Sequence, residues 1–198
     1  MSSVGIFGGT FNPVHNGHMH LAEMALHELK LDRLIFIPSN IPPHKSAENL
    51  CSNDDRFKMC SLAVSGIQKF QVSDYELKRS GKSYSVYTAG YFREQFPTDR
   101  IFMLIGSDML MSFDSWYRYQ DVLKMVDLAV VSRENDDRAI LEKKADFLRK
   151  YGEIKIIDSD PYVISSTEIR EKIKKDEKFS CYLPEKVVQY IRLNNLYK

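Results

Sequence analysis

Two histidines three positions apart, His15 and His18, follow a glycine pair and open a stretch of helical periodicity. At that spacing both rings stand on one helix face and can donate hydrogen bonds to one acceptor group. The residues before them, Val4-Gly5-Ile6-Phe7-Gly8-Gly9-Thr10, read as a short apolar strand running into a glycine turn. A strand, a glycine turn and a helix N-terminus together form an anion site. Glycine lets backbone N–H groups approach a phosphate closely, and the helix start adds positive partial charge. Gly17 keeps the space between the rings open. The chemistry in view is phosphate binding with histidine donors.

A second cluster lies far along the chain, at Ile164-Ser165-Ser166-Thr167-Glu168-Ile169-Arg170. Ser165 and Glu168 have the spacing of a capping box, and taken alone the segment reads as a helix cap. Yet Ser166 and Thr167 would sit among the unpaired N–H groups of a first turn, with Arg170 one turn on. That is a second anion site, suited to the departing half of a polyphosphate.

Other readings of these residues are weaker. His15, His18, His20 and His44 lack a cysteine or carboxylate at ligand spacing, so structural zinc has little support. The glycine turn is not G-x-G-x-x-G, which leaves a hydride-transfer enzyme without direct support. Gly81-Lys82-Ser83 looks like the end of a P-loop, but Glu76 stands where that motif needs its first glycine. Trp116, the single tryptophan, reads either as a core anchor or, given polar Ser115, Tyr117 and Arg118, as a stacking surface in a loop. Lys45 follows the rigid Pro42-Pro43 pair, which suggests a purposeful loop.

These residues need a frame. Apolar runs start near positions 4, 34, 70, 101, 128 and 154, each one strand–helix unit from the next. Leu34–Ile37, Ile101–Ile105 and Leu128–Val131 are continuously apolar, as strands of a parallel sheet buried on both faces are. Helical patterns fall at 18–29, 54–64, 86–96, 138–150 and 184–193, the last with Pro184 in its first turn. The alternation predicts a doubly wound α/β fold, a mostly parallel sheet with helices on both faces, in one domain over 1–198. The most loop-like stretches, 39–53 and 107–117, follow strands and are site candidates.

Composition narrows the classes. The chain of 198 residues is 43% hydrophobic with a net charge of +1, so it can build a sizeable core and lacks the basic excess of a nucleic-acid coat. Cys51, Cys60 and Cys181 show no paired spacing, which fits a reduced cytoplasmic setting rather than a disulfide framework. Neither a signal peptide nor an apolar run of roughly 18 residues is evident, so no membrane association is expected.

The histidine pair after Gly8-Gly9-Thr10-Phe11-Asn12-Pro13, joined to Ile-Ser-Ser-Thr-x-x-Arg at 164–170, resembles the nucleotidyltransferase superfamily that carries an H-x-G-H signature. Within it the chain is similar to the bacterial nicotinate mononucleotide adenylyltransferases, from about position 4 to 196. The stretches Ile41-Pro42-Pro43-His44-Lys45, Gly81-Lys82-Ser83-Tyr84-Ser85, Ile105-Gly106-Ser107-Asp108-Met109, and Leu183-Pro184 to Tyr190-Ile191 also carry the likeness. The family usually has Asp where Asn12 stands and Thr where Ser85 stands; both replacements keep a polar group. The resemblance implies adenylyl transfer from ATP to nicotinate mononucleotide, a step of NAD biosynthesis. It implies that His15 and His18 bind the ATP phosphates, His18 nearest the reacting phosphorus, with Gly8, Gly9 and Thr10 lining the same space. It places Ser166, Thr167 and Arg170 on the outer phosphates, Gly106 and Asp108 by the adenosine, and His44 and Lys45 on phosphate from the loop. Tyr84, Ser85 and Trp116 would receive the nicotinate. Mg2+ would be held mainly by ATP phosphates, with no metal-ligating side chain, in a monomer or small homo-oligomer. Adenylylation of phosphopantetheine, or nucleotide binding without turnover, remain as rivals. The Lys-Met-Ser-Lys-Ser segment of a class I aminoacyl-tRNA synthetase is missing.

Overall fold

The computed structural model describes residues 2–41, 50–132, 138–158 and 164–198. Six strands form one sheet: β1 (Ser3–Gly9), β2 (Arg33–Pro38), β3 (Phe70–Val72), β4 (Arg100–Gly106), β5 (Asp127–Val131) and β6 (Ile154–Ile157). Their order is β3-β2-β1-β4-β5-β6, and every adjacent pair is parallel. The helices of the described residues are α1 (Asn16–Glu28), α2 (Asn53–Val64), α3 (Tyr75–Lys78), α4 (Ser85–Gln95), α5 (Ser107–Met111), α6 (Tyr119–Met125), α7 (Arg138–Arg149), α8 (Ser166–Lys174) and α9 (Glu185–Leu193).

The continuous apolar runs divide by alternation into two cores. Phe7, Leu34, Phe36, Phe102, Leu104 and Ala129 face a layer built by α1, α2, α8 and α9. Val4, Ile6, Ile35, Ile37, Ile101, Met103 and Ile105 face the other, built by α4, α6 and α7 with Leu110 of α5. The inner strands β1, β2, β4 and β5 are therefore apolar on both sides, as the period of two requires for a sheet covered twice, while edge strand β3 exposes Gln71. Burying each such side chain contributes roughly 1.5–3 kcal/mol. Exposed ion pairs such as Lys78 with Asp74 at 2.7 Å add little beside that, so the two cores hold the fold.

The doubly wound expectation holds, and the sheet is wholly rather than mostly parallel among the described strands. Three details differ. The 107–117 stretch carries α5 and a 3-10 turn at Phe113–Ser115 instead of open loop. Two short helices, α3 and α6, have too few turns to show a periodic stripe. Pro184, expected in the first turn of α9, is instead its N-cap at φ −56, one residue before the helix begins at Glu185.

Candidate active site

β1 and β4 lie side by side at the centre of the sheet although β2 and β3 separate them in the chain, so the strand order reverses between them. Phe7 pairs with Leu104, which brings the two strands to their C-terminal ends at one level. Ligands of open α/β sheets bind in the crevice outside such a reversal. Gly8-Gly9-Thr10 and Gly106-Ser107-Asp108 both emerge there.

The two glycines differ. A Cβ on exposed Gly8 would have nothing within 4 Å, so that backbone borders open space. A Cβ on Gly9 would stand 2.7 Å from Cζ of Phe11. Gly9 thus makes room for a ring, a packing demand that the glycine pair does not reveal by itself. Phe11 adopts φ 46, in the left-handed region, which costs a bulky residue roughly 1–3 kcal/mol. Ring packing offsets it: the buried Phe11 meets Phe7 at 5.5 Å and Phe36 at 5.6 Å, and Phe36 continues to Phe70 at 5.6 Å. His18 tops this stack, 5.0 Å from Phe11 and nearly perpendicular to it.

His15 is the N-cap of α1 in extended conformation. Its backbone N–H donates to Nδ1 of His18 at 3.2 Å, and the rings lie 3.7 Å apart. A donor at Nδ1 puts the proton of the neutral His18 ring on Nε2. His15 is only 6% exposed. Burial pulls its pKa down to about 4, against the opposing pull of Glu168. At neutral pH it is an uncharged donor rather than a cation.

The turn from β1 to α1 is tied down from behind. The Thr10 carbonyl accepts from Arg56 at 2.8 Å, the Asn12 carbonyl from Arg170 at 2.9 Å and the Pro13 carbonyl from the Ser166 hydroxyl at 2.9 Å. Oδ1 of buried Asn12 accepts from the Cys51 N–H at 3.1 Å and the Tyr197 hydroxyl at 2.9 Å. Burial pushes the Tyr197 hydroxyl and the Cys51 thiol upward, keeping both protonated. Asn12 therefore serves as a junction, a use that goes beyond keeping a polar turn former.

The α8 start completes this arrangement. Ser165 and Glu168 form the capping box that the spacing predicts: the Ser165 N–H donates to Glu168 at 2.8 Å, and the Glu168 N–H to Ser165 Oγ at 3.1 Å. The Ser165 bonds hold the exposed Glu168 carboxyl below its usual range. Arg170 also donates to Thr167 Oγ1 at 3.3 Å. The two distant anion motifs are thus in direct contact. Ser166 and Arg170 reach backbone carbonyls of the first turn in doing so.

On the β4 side, Gly106 caps α5 and exposed Asp108 lies in its first turn. Trp116 is half-buried, its ring 4.8 Å from core Phe113. Tyr84 caps α4, Ser85 begins it, and the Tyr84 ring lies 4.9 Å from Tyr117, next in the chain to Trp116. Tyr84, Ser85 and Trp116 therefore belong to one neighbourhood. The Ser83 N–H donates to the Ile41 carbonyl at 3.0 Å, anchoring the base of the loop after β2. His44 and Lys45 lie outside the described residues.

Two participants escape the motif reading. Tyr197 reaches Asn12 across 185 positions, and no local pattern announces that. Arg56 did leave a signal. With Met59, Cys60 and Ala63 it occupies the apolar stripe of α2, and an arginine at a core position needs a reason.

Comparison with known proteins bears on the family and the fold. Residues 6–172 match the model of the family described as cytidylyltransferase-like. A protein of Clostridium tetani named "Probable nicotinate-nucleotide adenylyltransferase" is 40% identical over 200 residues, covering 100% of both chains. One of the same name from Clostridium novyi is 42% identical, again over 100% of each. In three dimensions the chain superposes on the nicotinic acid mononucleotide adenylyltransferase of Plasmodium falciparum complexed with APC, with TM-score 0.81. That match covers 100% of this chain and 98% of the other at 18% identity, and shows a shared fold.

Proposed function

We propose a reaction from one premise: the chain belongs to the cytidylyltransferase-like family and, within it, to the nicotinate-nucleotide adenylyltransferases. It transfers the adenylyl group of ATP to nicotinate mononucleotide, giving nicotinate adenine dinucleotide and pyrophosphate for NAD biosynthesis. A phosphate oxygen of the mononucleotide forms the new bond to the α-phosphorus as the bond to the bridging oxygen of pyrophosphate breaks. Both partners are anions, so neutralising and aligning charge is the main task and no covalent nucleophile is needed.

The roles follow chemistry and position. His15 and His18 donate to the α-phosphate region, with His18 nearest the reacting phosphorus. The turn Gly8, Gly9 and Thr10 offers backbone N–H groups. Thr167, Ser166 and Arg170 hold the outer phosphates, Arg170 supplying positive charge where pyrophosphate departs. Gly106 and Asp108 receive the adenosine; Tyr84, Ser85 and Trp116 the pyridine ring; His44 and Lys45 approach phosphate from the loop. Among the described residues no group of three or more His, Cys, Asp or Glu is placed to hold a metal ion. Such a donor set suits Mg2+ carried by phosphate oxygens and water, which lends charge neutralisation to the polyphosphate when bound.

The observation that best supports this reading is the contact of α8 with the first turn, Ser166 to Pro13 and Arg170 to Asn12, both at 2.9 Å beside the strand reversal. It brings the two motifs into contact, as a single triphosphate site requires. Three free cysteines fit a cytoplasmic enzyme, acting as a single domain in a monomer or small homo-oligomer. No helix of the described residues is long and apolar enough to cross a membrane. The test is turnover with ATP and either the acid or the amide mononucleotide, following pyrophosphate and dinucleotide. Faster dinucleotide formation from the acid is expected; equal or faster reaction of the amide would overturn the nicotinate assignment.

A further inference from the structure

Arg56 is wholly buried on α2. One guanidinium nitrogen donates to the Thr10 carbonyl at 2.8 Å. The other donates to Asn53 Oδ1 at 2.6 Å and to the Asn40 carbonyl at 3.5 Å. Its Nε has no hydrogen-bond partner. Every acceptor it reaches is neutral. Glu76, whose charge bears on the guanidinium, is itself pushed by burial toward its neutral form and takes a 2.6 Å hydrogen bond from Thr88. A buried cation surrounded by neutral acceptors is unfavourable unless an opposite charge comes near. A glutamine could serve the same carbonyls, so what arginine adds is charge.

The peptide that Arg56 grips shows where the charge acts. The unit is planar and the Thr10–Phe11 bond is trans, so its C=O and N–H point opposite ways. With the carbonyl drawn back to Arg56, the Phe11 N–H is directed away from α2, and it donates to nothing among the described residues. A cation on the carbonyl also polarises the amide and strengthens its N–H as a donor.

We propose that Arg56 is a positioning residue for the phosphate turn. Its charge, acting through the Thr10 carbonyl, aims and strengthens the Phe11 N–H toward a phosphate in the crevice. The inference rests on the adenylyl-transfer reading and deepens it.

Titration with inorganic tripolyphosphate, read beside steady-state turnover, tests it in the full chain. Arg56→Gln is expected to bind tripolyphosphate about tenfold more weakly and to lose a similar factor in kcat. KM for the mononucleotide should stay within about threefold, because that contact is not the one removed. Arg56→Lys keeps the charge but loses the fork, so its tripolyphosphate affinity should stay within about threefold of wild type. A merely structural arginine would lower Tm in both variants and leave affinity per folded molecule unchanged. Folded Arg56→Gln with wild-type affinity and kcat therefore overturns the proposal. If Arg56→Gln does not fold, the Phe11 amide proton signal decides: a downfield shift on adding tripolyphosphate in both wild type and Arg56→Lys supports the proposal, and an unmoved Phe11 signal in wild type overturns it. A wild-type protein that binds tripolyphosphate yet makes no dinucleotide would remove the reaction assigned above, while the affinity comparison would still judge Arg56.

Discussion

The two helix starts that meet at the strand reversal are built in opposite ways. At α1 the first turn is enclosed: His15 is buried and uncharged, Gly17 is buried, and the preceding carbonyls are held by Arg56, Arg170 and Ser166. At α8 the start faces water: Ser165, Thr167 and Glu168 are exposed, and the cap is satisfied by its own residues. In the proposed site the enclosed end fixes donors in space, with the buried Arg56 cation set behind them on the Thr10 carbonyl. The exposed end supplies charge through Arg170, in a medium where salt screens it. The proposed site thus draws its fixed geometry from one end and its solvent-facing charge from the other.

If that division is right, perturbing the enclosed end has the larger effect. His18→Ala should lower kcat at least about 100-fold, the scale for losing one donor to developing charge, with circular dichroism unchanged. Near-normal turnover in the folded variant would break the contrast.

Acid comes next. The folded His15 pKa, about 4, lies below its ordinary 6.5, so burial favours the neutral ring. The stability tied to that ring is complete above pH 6.5 and is lost as pH falls toward 4, because the unfolded chain takes up the proton first. The difference is on the order of 3 kcal/mol. The carboxyl of Glu168 is also depressed, from 4.5, so its cap weakens only below that value. The melting temperature of wild type should therefore fall between pH 6.5 and 5, while His15→Gln stays flatter in that window. Parallel curves would mean that His15 is not kept neutral by its surroundings.

The smallest effect is expected at the exposed end. Arg170→Ala should raise KM for ATP roughly tenfold, the scale of one charge-assisted hydrogen bond. It should also flatten the dependence of that KM on ionic strength. A steeper salt dependence in the variant would assign the screened charge elsewhere.

Much of this arrangement could be read before any coordinates, for physical reasons. The strands announce themselves because burial on both faces leaves Leu34–Ile37 and Ile101–Ile105 with no polar member. The α8 cap is legible because Ser165 and Glu168 are three positions apart and need only each other. The Tyr197–Asn12 bond is not, since it joins positions 185 apart and depends on the finished fold. Arg56 sits between these cases. Its place in the stripe with Met59, Cys60 and Ala63 marks it as buried, but only the folded chain shows that Thr10 is its partner. Gly9 was legible as a glycine with a purpose; the ring of Phe11 that claims the space was not.

The column of aromatic rings under His18 has a practical meaning. From Phe70 through Phe36 and Phe11 to the imidazole, the core and the proposed phosphate donor form one continuous column of tilted and edge-on rings. Engineering for heat tolerance that trades those rings for aliphatics would shift the imidazole's footing along with the packing. With His18 as the proposed donor, this column ties thermostability to turnover.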